Sequence, residues 1–236
     1  MGAVFPPLAR ELDISEMTVG VIAGLAPLLF MLAAPVWGHV ADRFGPKPVL
    51  VAGMIGHTIG AVLFAFSAYA GLSFWLSGYL IIGILSAGRV LSGALGAGIF
   101  PAAVSTAAAA VPGDRRAAAI ASISAAWGIG TMLGPAIATA SSSIGLYAPH
   151  LILTGVSLAA ATLAFLINPP AGASKRAKPG RVLPPTDGRI RPFLLITGAS
   201  YAIIVEVNVV FGFSIQDALQ LDAVAAAEVT GVMFTI

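Results

Sequence analysis

Residues 38–50, GHVADRFGPKPVL, place Asp42, Arg43 and Lys47 together between two long runs that carry no charged residue. Charged residues are scarce in this chain, because Asp, Glu, Lys and Arg make up only 9% of its 236 residues. Gly45 permits a tight bend, and the two prolines that flank Lys47 stiffen the backbone there. The stretch therefore predicts a short, charged connection between two helices, and the flanking runs decide which kind of helix it joins.

The charge-free runs are long enough to cross a lipid bilayer. Apolar residues make up 58% of the chain, whereas soluble domains contain about 45–50% apolar and about 25% charged residues. A hydrocarbon core about 30 Å thick needs about 20 apolar residues per helix. The four charge-free runs are residues 17–41, 48–88, 90–113 and 117–174. By that measure the first and third runs hold one span each, and the second and fourth hold two each. We expect an all-α polytopic membrane protein. The absence of cysteine excludes disulfides and thiolate metal sites.

The basic residues indicate how the chain lies in the membrane. If the turn at Asp42 is cytoplasmic and the spans alternate, ten of the twelve Lys and Arg residues fall on the cytoplasmic side, with Arg10 outside and Arg89 within a span. This bias is the one that the positive-inside rule describes. The pI near 9.2 then reflects orientation, and we expect no nucleic-acid partner. The ten residues are Arg43, Lys47, Arg115, Arg116, Lys175, Arg176, Lys178, Arg181, Arg189 and Arg191.

Residues 169–192, PPAGASKRAKPGRVLPPTDGRIRP, separate two halves of the chain. This stretch is basic and rich in proline and glycine, as solvated linkers are. A shift of 207 positions pairs similar residues of the two halves: Leu8 with Ile215, Leu12 with Leu219, Ile14 with Leu221, Ser15 with Asp222 and Gly24 with Gly231. The halves are therefore predicted to be related repeats in parallel orientation, and the first helix is expected to lack its beginning.

The charged turn and its setting resemble the major facilitator superfamily, in particular its drug/proton antiporter branch. The loop between the second and third helices of that family carries the pattern Gly-x-Leu-Ala-Asp-Arg-x-Gly-Arg-Lys-x-x-Leu. Pro46 stands here where the pattern has a basic residue. The resemblance implies a gating latch between two helical bundles, which is broken and remade during alternating access. Its residues here would be Gly38, Asp42, Arg43, Gly45 and Lys47.

The resemblance also implies two bundles with about twelve membrane helices, of which this chain would hold about six to eight. Residues 1–168 would form an N-terminal six-helix bundle with an incomplete first helix, and residues 169–192 a cytoplasmic linker. Residues 193–236 would form the seventh helix and the start of the eighth. The chain is thus expected to be truncated at both ends and to lie in the inner (plasma) membrane of a bacterium.

Two charged residues fall inside predicted spans, where charges are costly and commonly functional. Arg89 and Gly93 resemble the Arg-x-x-x-Gly pattern of the family's fourth helix, whose arginine is associated with proton coupling. Glu206 is a second candidate for proton coupling, as a protonation or cation-binding site. The alternative for both is a structural hydrogen-bond network, or, for the arginine, a long side chain that reaches a helix end.

Gly130, Gly134 and Pro135 resemble the Gly-x-x-x-Gly-Pro core of a fifth-helix motif that is associated with exporters. Two glycines four residues apart leave a groove in which another helix can approach closely. The proline removes one backbone hydrogen bond and kinks the span. An ordinary packing site between membrane helices would show the same residues.

The resemblance implies a secondary active transporter that exports small amphipathic compounds in exchange for protons. Its partners would be a small-molecule substrate, protons and the lipid bilayer, with the proton gradient as energy source and with no cofactor, bound metal or catalytic residue. A proton-coupled metabolite importer and a non-transporting truncated membrane protein are the alternatives. An intramembrane enzyme is disfavoured, because the sequence shows no catalytic constellation. The sequence leaves the substrate and the oligomeric state open.

Overall fold

The computed structural model describes residues 4–76, 78–166, 187–189 and 191–234, and within these ranges the chain is helical with no strand. Most of the predicted linker, residues 169–192, lies outside the described residues. A single 3₁₀ turn, Gly113–Arg115, precedes α6. The helices are α1 (Phe5–Glu11), α2 (Glu16–Phe44), α3 (Pro46–Leu72), α4 (Tyr79–Gly96), α5 (Ile99–Ala109), α6 (Arg116–Ser142), α7 (Ala148–Leu166), α8 (Arg191–Leu219) and α9 (Ala223–Met233).

Six helical stretches among the described residues are long and apolar enough to cross a membrane. They are Glu16–Phe44, Pro46–Leu72, Tyr79–Ala109, Gly113–Ser142, Ala148–Leu166 and Gly198–Leu219. The predicted all-α polytopic membrane fold is confirmed. The prediction of three spans over residues 48–113 is wrong, because the described residues there form only two helical stretches of spanning length and Arg89 lies within the second. An arginine that faces the protein interior does not end a membrane helix.

The connection between α2 and α3 is a single residue, Gly45. The helix runs through Asp42 and Arg43 to Phe44, so most of the stretch that predicted a loop is the last turns of α2. Gly45 has φ 87° and ψ 165°, a backbone conformation that glycine alone adopts readily. Pro46 then begins α3, where its fixed φ suits the first helical position and its missing N–H costs nothing.

Glycines bring α3 and α4 into backbone contact. A Cβ atom at Gly60 would lie 2.6 Å from the carbonyl oxygen of Gly88, and one at Gly88 would lie 3.0 Å from that of Gly60. Gly53 and Gly56, on the same face of α3, lie under side chains of the segment that joins α4 to α5. Membrane helices associate through such close packing, since lipid tails are as apolar as their side chains. This seam fixes the position of α4, the helix that carries Arg89.

A cluster of buried apolar side chains lies at one end of the bundle. We call the end that holds Gly45 the motif end, and the end that holds the α1–α2 and α8–α9 turns the far end. The cluster lies at the far end and includes Leu8, Val19, Phe64, Phe213 and Ala227, from five different helices. Burial of these side chains joins α1 and α2 to α8 and α9, which follow the predicted linker.

The α1–α2 turn and the α8–α9 turn have the same local structure, as the predicted repeat requires. Ser15 caps α2 by accepting a hydrogen bond from the Thr18 amide at 3.3 Å. Asp222, 207 positions later, caps α9 by accepting one from the Ala225 amide at 2.8 Å. Asp13 and Gln220, also 207 apart, both have positive φ, 54° and 51°. The repeat is confirmed for these two turns.

We expect Gly60→Ala to lower the free energy of unfolding by about 1–3 kcal/mol, because the added methyl group meets backbone rather than a flexible side chain. Thermal unfolding in detergent measures the effect. Gly83→Ala is the matched control, since it adds the same methyl group to α4 at a position where no described atom outside the local helix backbone lies within 4 Å. Equal stability of the two variants would contradict the proposed backbone contact.

Candidate functional site

Arg89 hydrogen-bonds to a backbone carbonyl that a proline has left without its helical donor. Its Nη2 atom donates to the carbonyl oxygen of Ala23 in α2 at 3.0 Å. In a regular helix that oxygen would accept from the amide of the residue four positions later, which here is Pro27. Proline has no amide hydrogen, and a bilayer supplies no water in its place. The guanidinium group of Arg89 therefore satisfies a backbone group that α2 cannot satisfy itself.

Gly93, one turn after Arg89, brings α4 against the same segment of α2. A Cβ atom at Gly93 would lie 2.5 Å from the carbonyl oxygen of Ala26 and 2.7 Å from its Cα atom. Any larger residue would separate the helices at this point. The two residues of the predicted Arg-x-x-x-Gly pattern thus act together, since Gly93 permits the approach that lets Arg89 reach Ala23.

The junction between α4 and α5 is held by Trp37 of α2. Its indole Nε1 atom donates to the carbonyl oxygen of Ala94 at 2.6 Å. Ala94 lies in the last turn of α4, where carbonyl groups have no partner within the helix. The ring of Trp37 also lies against Gly98, where a Cβ atom would be 3.1 Å from Cγ of the indole. Trp37 of α2 therefore stabilises the break between α4 and α5, just as Arg89 of α4 stabilises the carbonyl group of Ala23 in α2.

A cavity of about 340 Å³ lies beside Arg89. Pro27 and Phe30 of α2, His57 of α3 and Trp127 of α6 are among the residues that line it. The wall also includes Val205 of α8, so both sides of the predicted linker contribute to it. The cavity combines aromatic and aliphatic surface with one cationic group, which is the character of a site for amphipathic small molecules.

His57 and Trp127 were not predicted as site residues. His57 faces the cavity that holds Arg89. Trp127 precedes the predicted exporter motif and contacts Phe100 of α5 edge to face, with ring centroids 5.3 Å apart. Pro27 was a detectable signal, because a proline inside a membrane helix requires a donor from elsewhere.

Glu206 does not join Arg89. Its side chain is exposed, lines two clefts between α2 and α8, and has its Oε2 atom 3.8 Å from where a Cβ of Gly20 would lie. The polar residue of α8 that does approach the arginine is Asn208, which shares with it a smaller cavity of about 130 Å³. The two candidates for proton coupling are thus on different faces of the α2–α8 contact.

The predicted latch residues lie on the surface of the motif end. Asp42 and Arg43 are both exposed, and the guanidinium carbon of Arg43 lies 5.2 Å from the centroid of the Phe44 ring. Asp42 makes no hydrogen bond or ion pair with any residue that the structure describes. No described atom outside the helix lies within 4 Å of a Cβ placed at Gly38. Asp42 and Gly38 therefore make no latch contact with the described residues.

Of the predicted exporter motif, Pro135 lies at the helix contact, whereas Gly130 and Gly134 lie outside it. A Cβ atom at Gly130 or Gly134 would meet no described atom within 4 Å, so the expected groove is open there. The close approach to α9 comes later in α6, where Gly231 packs against Thr139 and the carbonyl oxygen of Pro135. Thr139 donates its hydroxyl hydrogen to that same carbonyl at 3.0 Å.

Known proteins resemble this chain over 56–85% of its length. A family model described as Major Facilitator Superfamily matches residues 1–236. The class C tetracycline resistance protein of Escherichia coli is 34% identical over 163 residues, which are 66% of this chain and 37% of that protein. The class G protein of Vibrio anguillarum is 28% identical over 206 residues, which are 85% of this chain and 49% of that protein.

The multi-drug resistance efflux pump PmrA of Streptococcus pneumoniae is 29% identical over 136 residues, which are 56% of this chain and 31% of the pump. The matched segments span about a third to a half of the length of these three relatives. The chain is therefore compared with only part of each relative.

A double-mutant cycle tests the contact between Arg89 and the carbonyl that Pro27 leaves free. Arg89→Met in the natural chain strands the Ala23 carbonyl, which costs about 1–3 kcal/mol. Pro27→Ala supplies an amide donor to that carbonyl, so Arg89→Met is expected to cost less in its presence. Unfolding free energies of the four variants should give a coupling of at least about 0.5 kcal/mol.

Pro35→Ala is the matched control, because Pro35 interrupts the same helix two turns later. We expect its effect and that of Arg89→Met to add. Additive effects in the Pro27 cycle as well would show that the arginine does not stabilise the kinked helix through Ala23.

Proposed function

The chain belongs to the major facilitator superfamily, and we propose that the protein exports small amphipathic compounds across the membrane in exchange for protons. The observation that carries the proposal is the cavity beside Arg89, in which a cation and aromatic rings face the same space. Support comes from the relatives, which are named for tetracycline resistance and multidrug efflux. The chain is that of an integral multi-pass membrane protein, and transport, its direction and its coupling are what we propose.

The proposed substrate binds in the cavity between Phe30, Arg89 and Trp127. Apolar and aromatic walls there remove the apolar part of the molecule from water, while Arg89 and His57 interact with its polar groups. Tetracycline-like molecules combine fused rings with ionisable oxygens and so have both kinds of surface. Val205 of α8 is part of the wall, so relative motion of the two halves changes the shape of the cavity.

The proposed coupling uses charged side chains inside the membrane, where a charge without a partner is energetically unfavourable. Protonation and substrate binding can drive transport if both shift the same equilibrium between two arrangements of the bundles. Arg89 can exchange its hydrogen bond to Ala23 for one to a substrate, since guanidinium has five N–H groups. Glu206 lies in the neighbouring clefts between α2 and α8, where a change in its protonation would alter the contact between the halves.

The motif end is proposed to face the cytoplasm of a bacterial inner membrane. Asp42 and Arg43, exposed beside the rigid bend at Gly45, would pair with helices of the second bundle when that end closes. Residues 1–168 would then act as the first bundle, residues 169–192 as the cytoplasmic linker, and residues 193–236 as the start of the second bundle. The closed and open forms of the latch would alternate with those of the far end.

Substrate-driven proton flux in proteoliposomes tests the proposal, with a pH-sensitive dye in the lumen and tetracycline as solute. The flux is measured for the 236-residue chain and for any longer protein whose sequence contains it. We expect protons to move opposite to tetracycline. We expect Arg89→Gln to reduce the flux about fivefold or more, the lower end of typical coupling between two ligands.

Arg116→Gln is the control, because it removes an exposed arginine at the start of α6 by the same substitution. It should leave the flux unchanged. Movement of protons in the same direction as solute would favour the importer. No movement of either in any form of the chain would contradict transport.

A further inference from the structure

Arg10 joins three helices at the far end of the molecule. Its Nη1 atom lies 2.6 Å from Oδ1 of Asp217 in α8, and its Nη2 atom lies 2.9 Å from Oε1 of Glu16 in α2. The guanidinium carbon also lies 5.1 Å from the centroid of the Phe213 ring. Both ion pairs found within the described ranges of the chain involve Arg10.

The two partners Arg10 and Asp217 occupy equivalent positions of the two repeats. Their separation is 207 residues, the same shift that relates the capped turns. The backbone around them repeats as well, since the Ile14 amide donates to the Ala9 carbonyl at 2.9 Å and the Leu221 amide to the Gln216 carbonyl at 3.2 Å. A residue that contacts its own counterpart must lie near the axis that relates the two copies. The pair is therefore placed where the two halves meet.

The packing below the pair closes the far end. Gly212 of α8 lies against Pro6 of α1, where a Cβ atom would be 2.7 Å from Cγ of the proline ring. Leu8 is fully buried and Phe213 is 5% exposed in the same layer. Arg10 and Asp217 lie on the outer side of this layer, with side chains that are 30% and 62% exposed. Water can reach the pair but not the apolar contacts below it.

We propose that the ion pair between Arg10 and Asp217, with Glu16 as second partner, is a latch that holds the two halves together at the far end. If the halves rock about a central site, contacts between them at one end exist in one state and are lost in the other. The role of the latch thus rests on the proposed transport function, but the geometry of the ion pair does not. Opposite charges at equivalent positions make the contact attractive, whereas identical charged residues there would repel each other.

The strength of the pair suits a contact that must break in each cycle. Ion pairs with partly exposed side chains contribute little, because water and salt screen them. The hydrogen bond to Asp217, followed by that to Glu16, raises the pKa of Arg10, so its guanidinium stays charged at every physiological pH. The latch is therefore expected to depend on ionic strength rather than on deprotonation of Arg10.

Cysteine labelling tests the latch directly, because the natural chain contains no cysteine. Ala9→Cys places a thiol in α1 at a position that is 0% exposed beneath the pair. The full chain in proteoliposomes is treated with a membrane-impermeant maleimide, and the labelling rate is measured. We expect Arg10→Gln and Asp217→Asn each to raise the rate about two- to fivefold, the range for a partly exposed ion pair.

The double variant Arg10→Gln/Asp217→Asn should label no faster than the faster single variant, because both single changes break the same contact. Arg10→Lys keeps the charge and should stay close to the natural rate. Multiplied effects in the double variant, or rates that do not change in either single variant, would overturn the proposal.

A second reporter separates opening of the far end from general loosening. Ala102→Cys in α5 is 1% exposed and lies in the motif-end half of its span. Its labelling should not change when Arg10 is replaced, and an equal rise at both reporters would overturn the proposal. Labelling needs no transport, so a chain that moves no tetracycline but shows the predicted rates would contradict the proposed function and keep the latch.

Discussion

The hydrogen bond from Arg89 to the carbonyl of Ala23 connects two features that would each be unfavourable alone in a membrane. A proline inside a span leaves a backbone acceptor without a donor, and an arginine inside a span brings donors into a place without water. In this fold each satisfies the other across 3.0 Å. The contact requires α4 to lie close to α2, which Gly93 permits, and to be held by α3, which Gly60 and Gly88 permit. Pro27 and Arg89 both line the cavity of about 340 Å³.

Several contacts between the two repeats lie at the far end of the molecule. At the far end they include a buried apolar layer, the Gly212–Pro6 approach and the ion pair of Arg10 with Asp217. At the motif end the exposed Asp42 makes no pair with the described residues. The proposal assigns Arg10 and Asp42 to the two opposite closures.

Local chemistry made much of this fold predictable from the sequence. Charge-free runs gave the membrane class, and Gly45 gave a bend that the structure shows as one residue with φ 87°. The repeat was visible as a shift of 207 residues, and that shift also carries Arg10 onto Asp217. The span count around Arg89 was wrong, because a charged residue was taken as a boundary although its side chain faces inward. Periodicity and composition do not show which way a side chain faces.

The site itself depends on pairings that sequence separation hides. Arg89 and Ala23 are 66 residues apart, and Trp37 and Ala94 are 57 apart. Both pairs follow one rule, that each backbone carbonyl freed by a proline or a helix end requires a donor. The rule shows that a partner must exist without showing which one. Gly130 and Gly134 illustrate the converse, since their spacing suited a helix contact that the structure places at Gly231 instead.

The central claim is that the cavity beside Arg89 holds the transported molecule. Ser92 lines this cavity, and Ser92→Cys would be the single thiol of a chain that naturally has none. The most direct measurement is the rate at which a maleimide labels that thiol in proteoliposomes, with and without saturating tetracycline. The account predicts slower labelling with tetracycline at Ser92→Cys and no change at Ser143→Cys, an exposed position beyond α6. Equal rates at Ser92→Cys with and without tetracycline would contradict the claim.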